Sequence, residues 1–149
     1  MKVKQILPPT YLLIAIITML ILHFLAPIFR LFSLPWNMTG LLLLFLGVLI
    51  NIFADEALRK ANTTVKPFQE SSSLVTNGVY TISRHPMYLG FMLILVGVAV
   101  ILGSISPWVI IPVFVITMDL IFIREEEVML ETKFGSSWVN YRKKVHRWI

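Results

Sequence analysis

Two short polar runs hold most of the residues in this chain that could bind or move charge. The first is Arg84-His85-Pro86-Met87-Tyr88, and the second is Arg124-Glu125-Glu126-Glu127. Pro86 pushes His85 out of helical geometry and suits the first turn of a helix, so Arg84 and His85 should flank a helix N-terminus. Free N–H groups and the helix dipole there favour an anion. Upstream, Asn77-Gly78 is a turn signal, followed by Tyr80. The three successive glutamates stand about 100° apart on a helix, so at least one must face inward. Asp119 lies seven residues before Glu126, on nearly the same face of a regular helix. An acid inside an apolar stretch is costly and is a functional candidate by default. Each group also has a plainer role. Tyr80, Arg84, His85 and Tyr88 suit an interfacial belt, and the glutamates suit a solvated face balancing nearby basic residues.

Other chemistry is excluded or disfavoured. The chain has no cysteine, which removes disulfides, thiolate metal sites and a cysteine nucleophile. Its three histidines, His23, His85 and His146, show no H-E-x-x-H spacing, so no metal site is expected. The net charge is +5, but the basic residues are not gathered on one soluble module. No nucleic-acid partner is expected, and attraction to anionic lipid headgroups is the simpler reading.

The elements that must position these runs are apolar. Of the 149 residues, 57% are hydrophobic and 14% charged, and a soluble domain would carry about 25% charged residues. Four stretches, 12–29, 36–54, 87–102 and 107–123, approach the roughly 20 residues that cross a bilayer. The first lacks a small-x-small cleavage site and reads as a retained helix. Pro27 and Pro112 fall inside spans and predict kinks. With four crossings, the N-terminal tail (Lys2, Lys4), the connection 55–86 (Arg59, Lys60, Lys66, Arg84) and the tail 124–149 share one side. That side holds twelve of the thirteen basic residues, and the positive-inside rule makes it cytoplasmic. The expected fold is an all-α integral membrane protein of one domain, 1–149, with about four transmembrane helices and both termini in the cytoplasm. The short connection 103–107 forces spans three and four into an antiparallel hairpin. That hairpin brings His85-Pro86 and Arg124-Glu125-Glu126 to one membrane surface. Gly40, Gly47, Gly90 and Gly97 are spaced for close helix contact.

The run LVTNGVY at 74–80, RHPMYLG at 84–90, and Glu125-Glu126 followed by Leu130, Phe134-Gly135, Trp138, Tyr141 and Val145 strongly resembles the isoprenylcysteine carboxyl methyltransferase family. That family lies within a broader group that includes membrane phospholipid methyltransferases. Thr63-Thr64 followed by Pro67 is similar to its prokaryotic branch. The resemblance implies an S-adenosylmethionine pocket between the connection 55–86 and the C-terminal tail. Family residues that contact the cofactor match Ser73, Leu74, Val75, Tyr80, His85, Pro86, Met87, Tyr88 and Glu126. Arg84 joins His85 and the helix N-terminus as a receiver for the cofactor carboxylate, while Glu126 suits its ammonium or ribose hydroxyls. Tyr80 and Tyr88 offer faces to adenine or the sulfonium. The family's substrate-contacting arginine aligns with Phe122, leaving Arg124 and Asp119 as candidates to steer a lipid-like methyl acceptor, a carboxylate or an amine. Two other functions fit parts of the pattern. A sterol-type reductase using NADPH shares Arg-His, paired acids and a run like Gly135–Tyr141, and a non-catalytic membrane adaptor would present the basic tail to a partner.

Overall fold

The computed structural model describes residues 7–64, 69 and 71–149. Lys2, Lys4, Lys66 and Pro67 lie outside them. Every regular element among the described residues is helical: α1 (Pro8–Leu25), α2 (Thr39–Lys60), α3 (Pro86–Leu102), α4 (Ile110–Met118), α5 (Arg124–Phe134) and α6 (Ser136–Lys144), with short 3₁₀ turns between. Among the described residues, three rods are long and apolar enough to cross a membrane: Pro8–Leu25, Trp36–Lys60 and Ser106–Phe134. Pro86–Leu102 is apolar but shorter. Outward faces rich in exposed large apolar residues, such as Leu42, Phe45 and Phe53 on α2, fit a solvent of lipid rather than water.

The boundaries follow from local chemistry. Pro8 and Pro9 open α1 at positions where the missing N–H costs nothing. That shifts the first span toward the N-terminus, so Pro27 lies beyond the helix end at Leu25 and kinks nothing. Pro112 stands in the first turn of α4, directly after the 3₁₀ turn Ser106–Val109. Gly103, at φ 75°, caps α3 in the left-handed region and turns the chain back. The first and third connections meet at that end. The N–H groups of Leu31 and Phe32 donate to the Gly103 carbonyl (2.7 and 3.1 Å), and that of Ile105 donates to the Phe29 carbonyl (2.9 Å).

Helices α2 and α3 run antiparallel and pair through glycine. A β-carbon added to Gly47 would sit 2.6 Å from the Gly90 carbonyl oxygen, and one on Gly97 would sit 2.6 Å from that of Gly40. The seven-residue spacing on each helix is therefore spent inside the chain, on backbone-to-backbone packing. The main core joins α1, α3 and the last long rod through Met19, Tyr88, Leu95, Phe114, Met118 and Phe122.

That last rod changes pitch midway. Between α4 and α5 the residues Asp119–Ile123 form a π turn, which takes up one extra residue relative to an α-helix. The expected alignment of Asp119 with Glu126 is therefore wrong by one position. Asp119 instead lies along the rod from Glu127, and the Arg147 guanidinium grips both acids.

Candidate functional site

The hairpin of α3 and the last rod brings the two polar runs into direct contact. Pro86 opens α3 and His85 is its N-cap in non-helical geometry, as the dipeptide required. The His85 ring is buried, with Nδ1 3.3 Å from a Glu126 oxygen and Nε2 3.2 Å from Glu127. Only the doubly protonated ring donates to both carboxylates. Burial works against the charged ring, but the hydrogen bonds and charges of Glu126 and Glu127 outweigh it and hold the His85 pKa above its ordinary value. The Tyr88 hydroxyl donates to Glu126 at 2.6 Å.

Glu127, not singled out by the sequence, is the most buried of the three glutamates, at 7% exposure. It meets His85, Arg84 (3.3 Å) and Arg147 (2.5 Å). Glu125 is exposed. Arg84 also lies over the Trp138 ring, 5.6 Å from its centroid. The Tyr141 hydroxyl donates to the Tyr80 carbonyl at 2.6 Å and fastens α6 to the 3₁₀ turn Gly78–Thr81. Burial, then the charge of Glu126, pushes the Tyr80 phenol well above its usual range, and burial pushes Tyr141 up to about 12. Both stay neutral phenols.

A cavity of about 680 Å³ opens beside this cluster, well within the roughly 300–1,000 Å³ of small-molecule sites. Ser73, Leu74, Val75, Tyr80, Arg84, His85, Pro86, Met87, Tyr88 and Glu126 all line it. Ser73 is held by a hydrogen bond to the Ala61 carbonyl, 2.8 Å away, at the end of α2. Sequence reasoning missed Leu7, Pro8 and Pro9 from the start of α1, Val128 and Met129 from α5, and Trp138, which line the same space. For Trp138 and Tyr141 a signal existed, since both belong to the spaced pattern in the tail. Arg124 and Asp119 do not line the cavity. They pair with each other at 3.0 Å, with the Arg124 side chain 60% exposed. Phe122 is buried, stacked on Tyr88 with ring centroids 6.2 Å apart. No cluster of metal-ligating side chains occurs among the described residues.

Two residues that line the cavity carry buried polar atoms without a partner: Nε and Nη1 of Arg84 and Nε1 of Trp138. Buried donors left unpaired are costly, so a ligand with acceptor groups fits here. The lining offers a guanidinium, a carboxylate and aromatic rings, a set whose chemistry suits a ligand with a carboxylate, an ammonium or hydroxyl groups and a flat base.

The family described as "Phospholipid methyltransferase" matches residues 36–137. The protein-S-isoprenylcysteine O-methyltransferase of Saccharomyces cerevisiae is 33% identical over 141 residues, covering 88% of this chain and 58% of that protein. A probable protein-S-isoprenylcysteine O-methyltransferase of Oryza sativa subsp. indica is 30% identical, covering 72% and 57%. Among solved structures, the eukaryotic intramembrane Ras methyltransferase ICMT (isoprenylcysteine carboxyl methyltransferase) superposes with a TM-score of 0.71 at 26% identity. The superposition covers 95% of this chain and 52% of that one. The chain thus spans little more than half the length of these relatives. It is an integral membrane protein that belongs to the phospholipid methyltransferase family, among relatives named for isoprenylcysteine O-methylation.

Proposed function

We propose that this chain is an S-adenosylmethionine-dependent methyltransferase acting on a lipid-like amphiphile. The observation that carries the reading is the cavity walled jointly by His85-Pro86 and Glu126, with Arg84 and Trp138, which hold unpaired buried donors, among its lining residues. When bound, the cofactor supplies a methyl group already activated on a sulfonium. The protein then needs no covalent nucleophile. Its residues hold the acceptor atom close to the methyl group, in line, and keep water out. Arg84 and the α3 N-terminus receive the cofactor carboxylate. Glu126, oriented by His85 and Tyr88, takes the ammonium or ribose hydroxyls. Tyr80, Met87 and Trp138 pack its flat and apolar parts.

The acceptor, an isoprenylcysteine-like carboxylate or a phospholipid amine, enters from the bilayer past apolar residues such as Phe91, Val128 and Met129. The site opens to the cytoplasm. This orientation rests on the basic residues gathered at its end of the molecule. Helix α3, with 17 residues, is about 25 Å long and serves as the fourth span.

Calorimetric titration of the purified protein with S-adenosylmethionine tests the reading. Binding by the wild type, with loss of at least tenfold in affinity in His85→Ala and in Glu126→Gln, is expected. Full affinity in both variants rejects the assignment. Parallel titration with NADPH separates it from a reductase, and an adaptor binds neither cofactor. Radiolabelled methyl transfer into native lipids identifies the acceptor.

A further inference from the structure

Beyond α6 the chain does not leave the molecule. Residues 145–149 run back across the loop that presents Arg84 and His85. The Arg84 N–H donates to the His146 carbonyl at 3.0 Å, and the Ser83 hydroxyl donates to the Arg147 carbonyl at 2.9 Å. Ser83 Oγ in turn accepts the His85 N–H at 3.1 Å. Trp148 packs against the main core.

Arg147 ties the strap to the acids of the last rod. Its Nη1 donates to Asp119 at 2.7 Å, and its Nη2 and Nε donate to the two Glu127 oxygens at 2.5 and 3.2 Å. The second of those oxygens, Oε1, is the atom that also meets His85 Nε2 and Arg84 Nη2. Arg147 itself does not line the cavity.

We infer that Arg147 is a positioning residue for the cofactor end of the site, fixing Glu127 so that Glu127 aims Arg84 and His85. The inference rests on the cofactor reading above. A guanidinium fork fixes the plane of the carboxylate that it grips from both sides, which a point charge does not do. Arg84 depends on that plane, because Nη2 on Glu127 and the Trp138 face are what hold its guanidinium while Nε and Nη1 stay unpaired. The charges around His85 are Arg84, Glu126 and Glu127, with Tyr88 beside the ring and Arg147 behind Glu127. Asp119, the acid inside the apolar rod, then has a purpose: it is the second anchor of the same fork.

A mere clasp for the tail would change stability alone. A positioning residue also changes the titration of His85 and the affinity for the cofactor in folded protein. The test is histidine NMR titration of the full chain in detergent, with calorimetric titration of S-adenosylmethionine. It compares wild type, Arg147→Ala, Arg147→Lys and the surface control Arg142→Ala, whose partner Glu131 lies outside the site. In Arg147→Ala, Glu127 loses the fork that fixes it and its pairing with His85 loosens, which moves the His85 titration to lower pH, opposite to the rise that loss of a cation alone would give. Cofactor affinity falls about tenfold, as when an outer partner of a binding group is lost. Lysine restores part of both, and Arg142→Ala matches wild type. A His85 titration that stays or rises, with wild-type affinity, in Arg147→Ala overturns the inference. If the alanine variant does not fold, Arg147→Lys decides, since it keeps the charge and loses the fork. If the wild type binds no S-adenosylmethionine, the cofactor reading falls, while the His85 titration still decides the role of Arg147.

Discussion

The Tyr88 hydroxyl and a Glu126 oxygen stand 2.6 Å apart, although 38 positions separate them in the chain. The first turn of α3 and the first turn of α5 are thereby joined at the cavity wall. Tyr88→Phe keeps the ring stacked on Phe122 and removes only the donor. Hydrogen bonds to charged groups contribute about 1.5–3 kcal/mol. Thermal unfolding in detergent is expected to show a loss of that order, and S-adenosylmethionine titration a weaker affinity at unchanged stoichiometry.

His85 gives the fold a defined pH dependence. Its pKa is raised in the folded protein, so its contribution to stability is fully present below the unfolded value, about 6.5. That contribution is lost as pH rises through the folded value. Stability measured against pH should therefore fall for wild type relative to His85→Gln on going from mildly acidic to alkaline conditions. A gap between the two proteins that stays constant across that window contradicts the prediction.

Gly97 has no room for a side chain, since a β-carbon there would lie 2.6 Å from the Gly40 carbonyl oxygen and 2.7 Å from the Leu44 amide nitrogen. Gly97→Val forces α2 and α3 apart. Overpacking of this kind costs about 1–3 kcal/mol, and the midpoint of thermal unfolding should drop accordingly. An unchanged midpoint would mean that the two helices are not in backbone contact.

Trp138 supports Arg84 with its ring face. Such contacts are worth about 0.5–2 kcal/mol, so Trp138→Leu should weaken S-adenosylmethionine binding by about 2- to 30-fold. Trp138→Phe, which retains a ring, should lose less in the same calorimetric titration.

Arg124 lies outside the cavity on an exposed side chain. Asp119 keeps its Arg147 contact without it, so Arg124→Ala should leave cofactor affinity within about twofold, a small change typical of surface ion pairs. A larger loss would bring Arg124 back into the binding machinery.

Much of this was legible from spacing alone. Apolar runs announced the rods, Pro86 set the start of α3, and the short turn after α3 placed His85-Pro86 and Arg124-Glu125-Glu126 at one end of the bundle. Three features were not legible, for physical reasons. The π turn at Asp119–Ile123 leaves no mark in an apolar run, so the face shared with Asp119 was misassigned. Glu127 and Glu126 are chemically identical, and only packing shows that Glu127 takes the buried position against Arg84, His85 and Arg147. The start of α1 reaches the cavity through a tertiary contact that no local pattern encodes.

The π turn also sets the phase of everything after it. Each residue in a helix turns its successors by about 100°. If 119–123 wound as a uniform α-helix at unchanged length, Glu126 and Glu127 would swing about a quarter-turn away from His85, and Asp119 would no longer stand in line with Glu127 under Arg147. Deleting one residue within 120–122 would remove the surplus that the π turn absorbs, so the rod could relax into an α-helix with both acids still on the face that meets His85 and Arg147. The pocket's charges should thus tolerate the loss of one apolar residue there better than the gain of one.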